Sequence, residues 1–329
     1  MIHKTFRRFL QAEFLGYLVL IITALIIPFV NHNAYHIDVL VTAGLFMILA
    51  LGLNVIVGFA GILHLGYAAP YAIGAYAYAL LNLHWNIPFW PGLILSSVIA
   101  AFFGMLFVFP ALRLGGDYLA IVTLGAGEIV RIALNNLDEL TGGPNGLLGI
   151  SHPDLFFPNT DFGVQSTPYY FLVLGIILIL VFVLKRVESS PLGRAWVAMR
   201  EDELAASCMG INLARAKLYA FGLGSFIAGL AGCVFAAKQG TISPDSFDFV
   251  VSVMVLAMVV LGGLGNIGGV LLGAFILSLL PEFLRGFDAY RMLLFGAAML
   301  VIMLVRPQGL LSERRHREEY AKAGGLEKS

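Results

Sequence analysis

The residues best placed to do chemistry in this 329-residue sequence are Glu128 and Arg131, three apart in an apolar run that begins near Asp117. At about 1.5 Å per residue, Glu128 falls close to the middle of a membrane span. A charge is costly there, so such groups face a cavity or pair with one another. The i, i+3 spacing permits mutual pairing. Two readings stay open: a buried structural ion pair, or a pore-lining pair that meets the two ends of a zwitterion. Asn54 is polar inside another apolar run and is followed by Gly58, Gly61 and Gly66. Small residues at that density allow close packing or unwinding around a path. His64, in the same break, reads as a satisfied interfacial histidine.

Other patterns do not carry the chemistry they resemble. Gly263-x-Gly265-x-x-Gly268 matches a dinucleotide fingerprint but lacks the preceding soluble strand and the downstream acid. It reads as a broken helix, with Gly265, Gly269 and Gly273 spaced every four residues so that a neighbour can approach closely. Ser225 with Gly229, and Ala228 with Gly232, repeat that spacing upstream. Asn266 lies in the break and joins Asn54, Gly58, Gly61, Glu128 and Arg131 as a candidate for lining a path. His32 and His36 have helical metal-ligand spacing but no carboxylate or thiol nearby, and read as two solvated histidines. There is no P-loop, no HExxH and no GxSxG. No catalytic residue, metal or cofactor is therefore expected. Cys208 and Cys233 cannot frame a disulfide scaffold and read as ordinary small residues.

The elements that must hold these residues are membrane spans. Hydrophobic residues make up 59% of the sequence and charged ones 12%, about half the charged share of a soluble domain. The formal net charge is zero, so no nucleic acid or other polyanion is implied as a partner. A span needs about 20 apolar residues. Candidates are 14–30 (read as an uncleaved first span), 38–57, 60–81, 90–110, 117–137, 167–185, 217–237 and 290–305. Pro70 falls inside the third and is expected to kink it. No charge lies between Asp248 and Glu282. One straight helix there would be roughly 50 Å long, too long for the bilayer, so 249–282 is read as two short spans or a re-entrant pair.

Lys and Arg set the orientation. They cluster before the first span, around the 186–216 loop and in the tail, whereas 138–166 has four acidic residues and no Lys or Arg. Both ends and the 186–216 loop are thus expected to be cytoplasmic, which needs an even number of crossings by 249–282 and a total of eight or ten spans. The 312–329 stretch reads as a charged cytoplasmic tail. Between 191 and 212, Pro191 can open a short helix, Asp202 can cap a second, Gly210 can end it and Asn212 can cap the next span. Trp196, Met199 and Ala206 give that pair a modest apolar face. Such a structured, charged segment reads as a docking surface.

These motifs together resemble the permease subunits of ABC importers for branched-chain amino acids, and within them the M-type member of the usual permease pair. The resemblance runs from about 38 to 311. It is carried by GLNVIVGFAG at 52–61, LGYAAPYAIGAY at 65–76, GGDYLAIVTLGAGEIVRI at 115–132, TGGPNG at 141–146, PLGRAWVAMREDELAASCMGIN at 191–212, KQGTISPDSF at 238–247, VVLGGLGNIGG at 259–269 and RPQGLL at 306–311. It implies an all-α integral membrane fold, a single permease domain over 1–329 with about ten transmembrane helices in two related halves. It implies a path shared with a second homologous permease, two cytoplasmic ATPase subunits, an external substrate-binding protein and a bacterial inner membrane around them.

It also implies that 191–212 is the coupling loop, with Arg194, Trp196, Arg200, Glu203, Ala205, Ala206 and Gly210 as contacts to the ATPases. Importer permeases carry Glu-Ala-Ala-x-x-x-Gly there. Ala205, Ala206 and Gly210 match, while the glutamate stands one position early, at Glu203. Thr141, Gly142, Gly143, Pro144, Asn145 and Gly146 form the outer-loop motif. The implied substrates are leucine, isoleucine and valine. Urea, short amides or other amino acids in the same architecture, and a stand-alone ion-coupled carrier, are the alternatives.

Overall fold

The computed structural model describes residues 33–113, 116–153, 166–283, 296 and 310. The expected spans 14–30 and 290–305, the tail and His32 lie outside the described residues.

The regular structure of the described residues is helical apart from one small two-stranded pairing. Its α-helices of six residues or more are α1 (Ala34–Leu53), α2 (Ala68–Trp85), α3 (Phe89–Val108), α4 (Gly116–Asn136), α5 (Ser166–Glu188), α6 (Pro191–Glu201), α7 (Glu203–Cys208), α8 (Leu213–Gln239), α9 (Phe249–Gly262) and α10 (Ile267–Phe283). The strands β1 (Leu147–Leu148) and β2 (Thr241–Ile242) pair antiparallel. Six described helical segments are long and apolar enough to cross a membrane.

The two core helices are α1 and α8. They bury 78% (α8) and 72% (α1 with its π-turn) of their apolar stretches, against 22% for α4. The small-residue stripe of α8 explains its place. A methyl at Gly229 would meet Ala100 Cβ at 2.6 Å, and one at Gly232 would meet Ala75 N at 2.7 Å. Only a side chain of hydrogen lets α2 and α3 approach so closely. Helices α3, α4 and α5 lie around this centre and keep large apolar residues such as Phe102, Ile129 and Phe182 exposed, as a lipid-facing or partner-facing surface must.

Helix α1 does not end cleanly. It passes into a π-helical turn, Asn54–Phe59, and then into a non-helical stretch up to α2. The expected third span of 60–81 is therefore corrected: α2 begins at Ala68 and runs to Trp85. Pro70 consequently sits in the first turn, where its missing N–H would have had no helical partner, and it kinks nothing.

The 249–282 region is two helices. They meet at Gly263–Asn266, where Gly263 (φ 107°) and Gly265 (φ 82°) take backbone conformations that L side chains rarely adopt. α9 and α10 then pack back to back as a hairpin, Gly262 against Gly269 and Gly273 against Met258. Asn266, expected to line a path, caps α10 by accepting from Gly269 N at 3.0 Å.

Candidate functional site

The two ends of the bundle are built differently. At one end lies the 191–212 segment and at the other the small sheet, and most of the motif residues fall at these ends.

The 191–212 segment folds as two capped helices. Ser190 accepts from Gly193 N at 3.2 Å with Pro191 at the first helical position. Asp202 accepts from Leu204 N and Ala205 N at 2.8 and 3.0 Å. Asn212 accepts from Arg215 N at 3.0 Å to open α8. Gly210 (φ 84°) turns the chain between them.

The two sides of this wedge have different tasks. Trp196 is fully buried and donates from Nε1 to Ala216 O at 2.8 Å, pinning α6 to α8. Met199 and Ala206 are buried beside it. Trp196 and Ala206 were expected to contact a partner; their burial within the chain makes them anchors instead. Arg200 also turns inward. Its guanidinium donates to Gly58 O at 2.6 Å, and its Cγ would lie 2.5 Å from a methyl at Gly61. Gly61 (φ 71°) is held to glycine by both this crowding and its backbone. Glu203 bonds Lys217 Nζ at 2.9 Å, tying α7 to the start of α8.

The outward side carries Arg194, Ala205 and Gly210, together with Leu204 (79% exposed) and Met209 (83% exposed). Leu204 and Met209 were missed as site residues. Periodicity gave no signal for the pair: Leu204 lies across the helix from buried Ala206, but Met209 is three positions on, nominally on the buried face, and is exposed because α7 ends at Cys208. Cys208 is exposed on the same side, while Cys233 is buried in α8.

Arg200 leads into the bundle through the π-turn. Gly58, whose carbonyl it holds, is buried, and a methyl there would lie 2.6 Å from Gly265 N. Asn54, in the same turn, is fully buried and accepts from Gly265 N at 3.0 Å. Asn54 Nδ2 has no hydrogen-bond partner among the described residues. The wedge, the π-turn and the break of the α9–α10 hairpin thus form one contact chain. His64 lies beside it, buried and edge-on to the rings of Tyr67 and Phe221. Its Nδ1 has no partner among the described residues, which corrects the expectation of a satisfied interfacial histidine.

Glu128 and Arg131 do pair, at 3.0 Å, but their side chains are 33% and 37% exposed on α4. They share the least covered helix with exposed Tyr118, Ile121 and Ile132. The reading of a pair buried inside this chain is therefore corrected; the pair faces out of it.

At the sheet end, the TGGPNG motif is a turn scaffold. Thr141 Oγ1 donates to Leu134 O at 2.6 Å, Gly142 and Gly143 have positive φ, and Gly143–Asn145 is one 3-10 turn. Gly146 packs against the Ile242 backbone, and β1 then pairs with β2. Pro144 and Asn145 are exposed at the tip. The motif thereby joins the α4–α5 connection to the end of α8. No group of His, Cys, Asp and Glu among the described residues could hold a metal ion.

Comparison with known proteins places this geometry in a family. Residues 35–303 match the family described as branched-chain amino acid transport system / permease component. The chain is 45% identical over 317 residues to the high-affinity branched-chain amino acid transport system permease protein LivM of Salmonella typhimurium, covering 90% of this chain and 74% of that one. It is 28% identical to the probable LivM of Methanocaldococcus jannaschii, covering 84% and 93%. It is 25% identical to the permease protein LivH of Escherichia coli, covering 81% and 91%. No solved structure matches it. The multi-spanning helical body, the capped helix pair at 191–212 and the match over 35–303 together make the chain a member of the branched-chain amino acid transport system permease component family.

Proposed function

We propose that the chain is the M-type permease of an ATP-driven importer that carries leucine, isoleucine and valine into the cytoplasm. The observation that supports this reading is the 191–212 wedge, a pair of capped helices anchored on α8 with an exposed outer side, in a chain with no nucleotide motif of its own. Two ATPase subunits dock on its outward side at Arg194, Leu204, Ala205, Met209 and Gly210. Closing on ATP, they pull the wedge. Arg200 passes the movement to Gly58, and Asn54 passes it to the Gly263–Asn266 break. The buried anchors Trp196 and Glu203–Lys217 keep the wedge rigid against α8, so that it moves as one body.

A second homologous permease completes the path. LivM and LivH are named as permeases of one system in Escherichia coli, and this chain resembles both. The outward side of α4 is the part of this chain best suited to that contact. An ion pair near mid-span is costly against lipid, and Glu128–Arg131 is less so against a protein or a wet path. Substrate comes from an external binding protein at the sheet end. The chain sits in a bacterial inner membrane with both ends cytoplasmic, crosses ten times and divides into two related halves. A path with few polar groups holds an aliphatic substrate only weakly, which favours release.

Uptake of labelled leucine by the reconstituted complex tests this. Expected is saturable uptake that needs ATP and is competed by isoleucine and valine. Competition by urea or short amides instead would change the substrate. Uptake by this chain without ATPases, driven by an ion gradient, would replace the importer with a carrier.

A further inference from the structure

A cavity at the sheet end takes no part in this coupling. It holds about 220 Å³, the volume of about seven liquid waters, which is the scale of one amino acid. One face of α1 lines it with Asp38, Thr42, Leu45, Phe46 and Leu49, at helical spacing. Its opposite wall comes from Phe235, Lys238 and Gln239 at the end of α8.

The cavity is graded. At its mouth Lys238 Nζ stands 2.8 Å from Asp38 Oδ1, with the lysine side chain 10% exposed and the aspartate 50% exposed. Lys238 Nζ also lies 3.5 Å from Asp38 O and 3.4 Å from Thr42 Oγ1. Ser166 Oγ donates to Asp38 Oδ1 at 3.1 Å. Further along α1 the lining is carbon, from Leu45, Phe46 and Leu49, and the wall is completed by the rings of Phe235 and Tyr71, whose centroids lie 5.6 Å apart.

We propose that this cavity is a receiving subsite for a free α-amino acid with an aliphatic side chain. Asp38 takes the ammonium, Lys238 takes the carboxylate, and the side chain lies over Leu45 and Phe235. The two charges already balance each other, so a zwitterion enters with no change in net charge. It exchanges one ion pair for two, a nearly even trade that leaves binding weak and reversible. The proposal rests on the importer reading above and places the first contact after delivery at the sheet end, far from the wedge.

The test uses the complete reconstituted importer. Leu45→Phe shortens the apolar floor and is expected to lower leucine uptake about tenfold more than valine uptake. Leu45→Ala, which fills nothing, is expected to make phenylalanine a competitor. An unchanged leucine-to-valine ratio in the first variant together with no new competitor in the second overturns the subsite. The double variant Asp38→Lys with Lys238→Asp keeps an ion pair between α1 and α8 but reverses its polarity. Expected is a complex that assembles and melts like wild type yet takes up leucine about tenfold more slowly. Wild-type uptake by the reversed pair would assign the charges to clamping the helices alone and overturn the proposal. If the wild-type importer takes up no branched-chain amino acid, the importer reading and its substrate fall together. If wild type transports and the variants behave like it, only the subsite falls.

Discussion

Arg200 shows how one side chain can join two regions that the sequence leaves 142 positions apart. A guanidinium bonded to a buried carbonyl contributes about 1.5–3 kcal/mol, which is roughly tenfold or more in the population of the joined state. Arg200→Ala is expected to cut ATP-driven leucine uptake by about that factor while the ATPases still co-purify, because the outward side of the wedge is untouched. Glu128→Gln is argued at the same scale. The pair is one-third exposed in this chain, so its loss costs stability at most about 1 kcal/mol. Uptake is expected to fall several-fold with little change in melting temperature; normal uptake with a large drop in melting temperature would return the pair to a structural role. The pairing itself was legible from the i, i+3 spacing. Its direction was not, because periodicity cannot tell which side of an all-apolar helix a neighbour covers.

At the level of elements, caps and breaks were the legible part. Pro191, Asp202, Gly210 and Asn212 mark helix ends through local chemistry, and the structure places ends at each. The glycine-rich break in 249–282 was legible for the same reason. The π-turn at Asn54–Phe59 and the late start of α2 were not. They depend on contacts with Arg200, Gly265 and Thr123 that are remote in sequence. The α9–α10 hairpin gives a sharp test. A methyl at Gly273 would already lie 2.5 Å from Met258 O and 2.7 Å from Gly262 N. Gly273→Val should therefore splay the hairpin and destabilise the purified chain by about 1–3 kcal/mol, read as a lower thermal midpoint. The wedge offers a second test. Leu204→Glu with Met209→Glu, both on exposed positions, should abolish ATPase co-purification and leave the permease itself folded.

For the whole molecule, the all-α class and the multi-spanning body followed from composition and span length, which report directly on the surrounding solvent. Which helices are central did not. α1 and α8 are no more hydrophobic than α3 or α5; their place comes from glycines that admit neighbouring backbones. The split of the 191–212 segment into an anchored and an open side was likewise invisible, since Trp196 and Leu204 look equally suited to a partner until the fold buries one of them.

The exposed thiol on α7 makes the orientation measurable without engineering. The sequence has two cysteines, and Cys233 is sealed in α8, so a bulky maleimide has one ready target, Cys208. A reagent that cannot cross lipid should label inside-out vesicles and spare right-side-out ones; the opposite result would invert the topology. In the assembled importer the same thiol should be shielded by the ATPases and return when they are stripped away. Cys208 is thus a native probe of both sidedness and subunit docking.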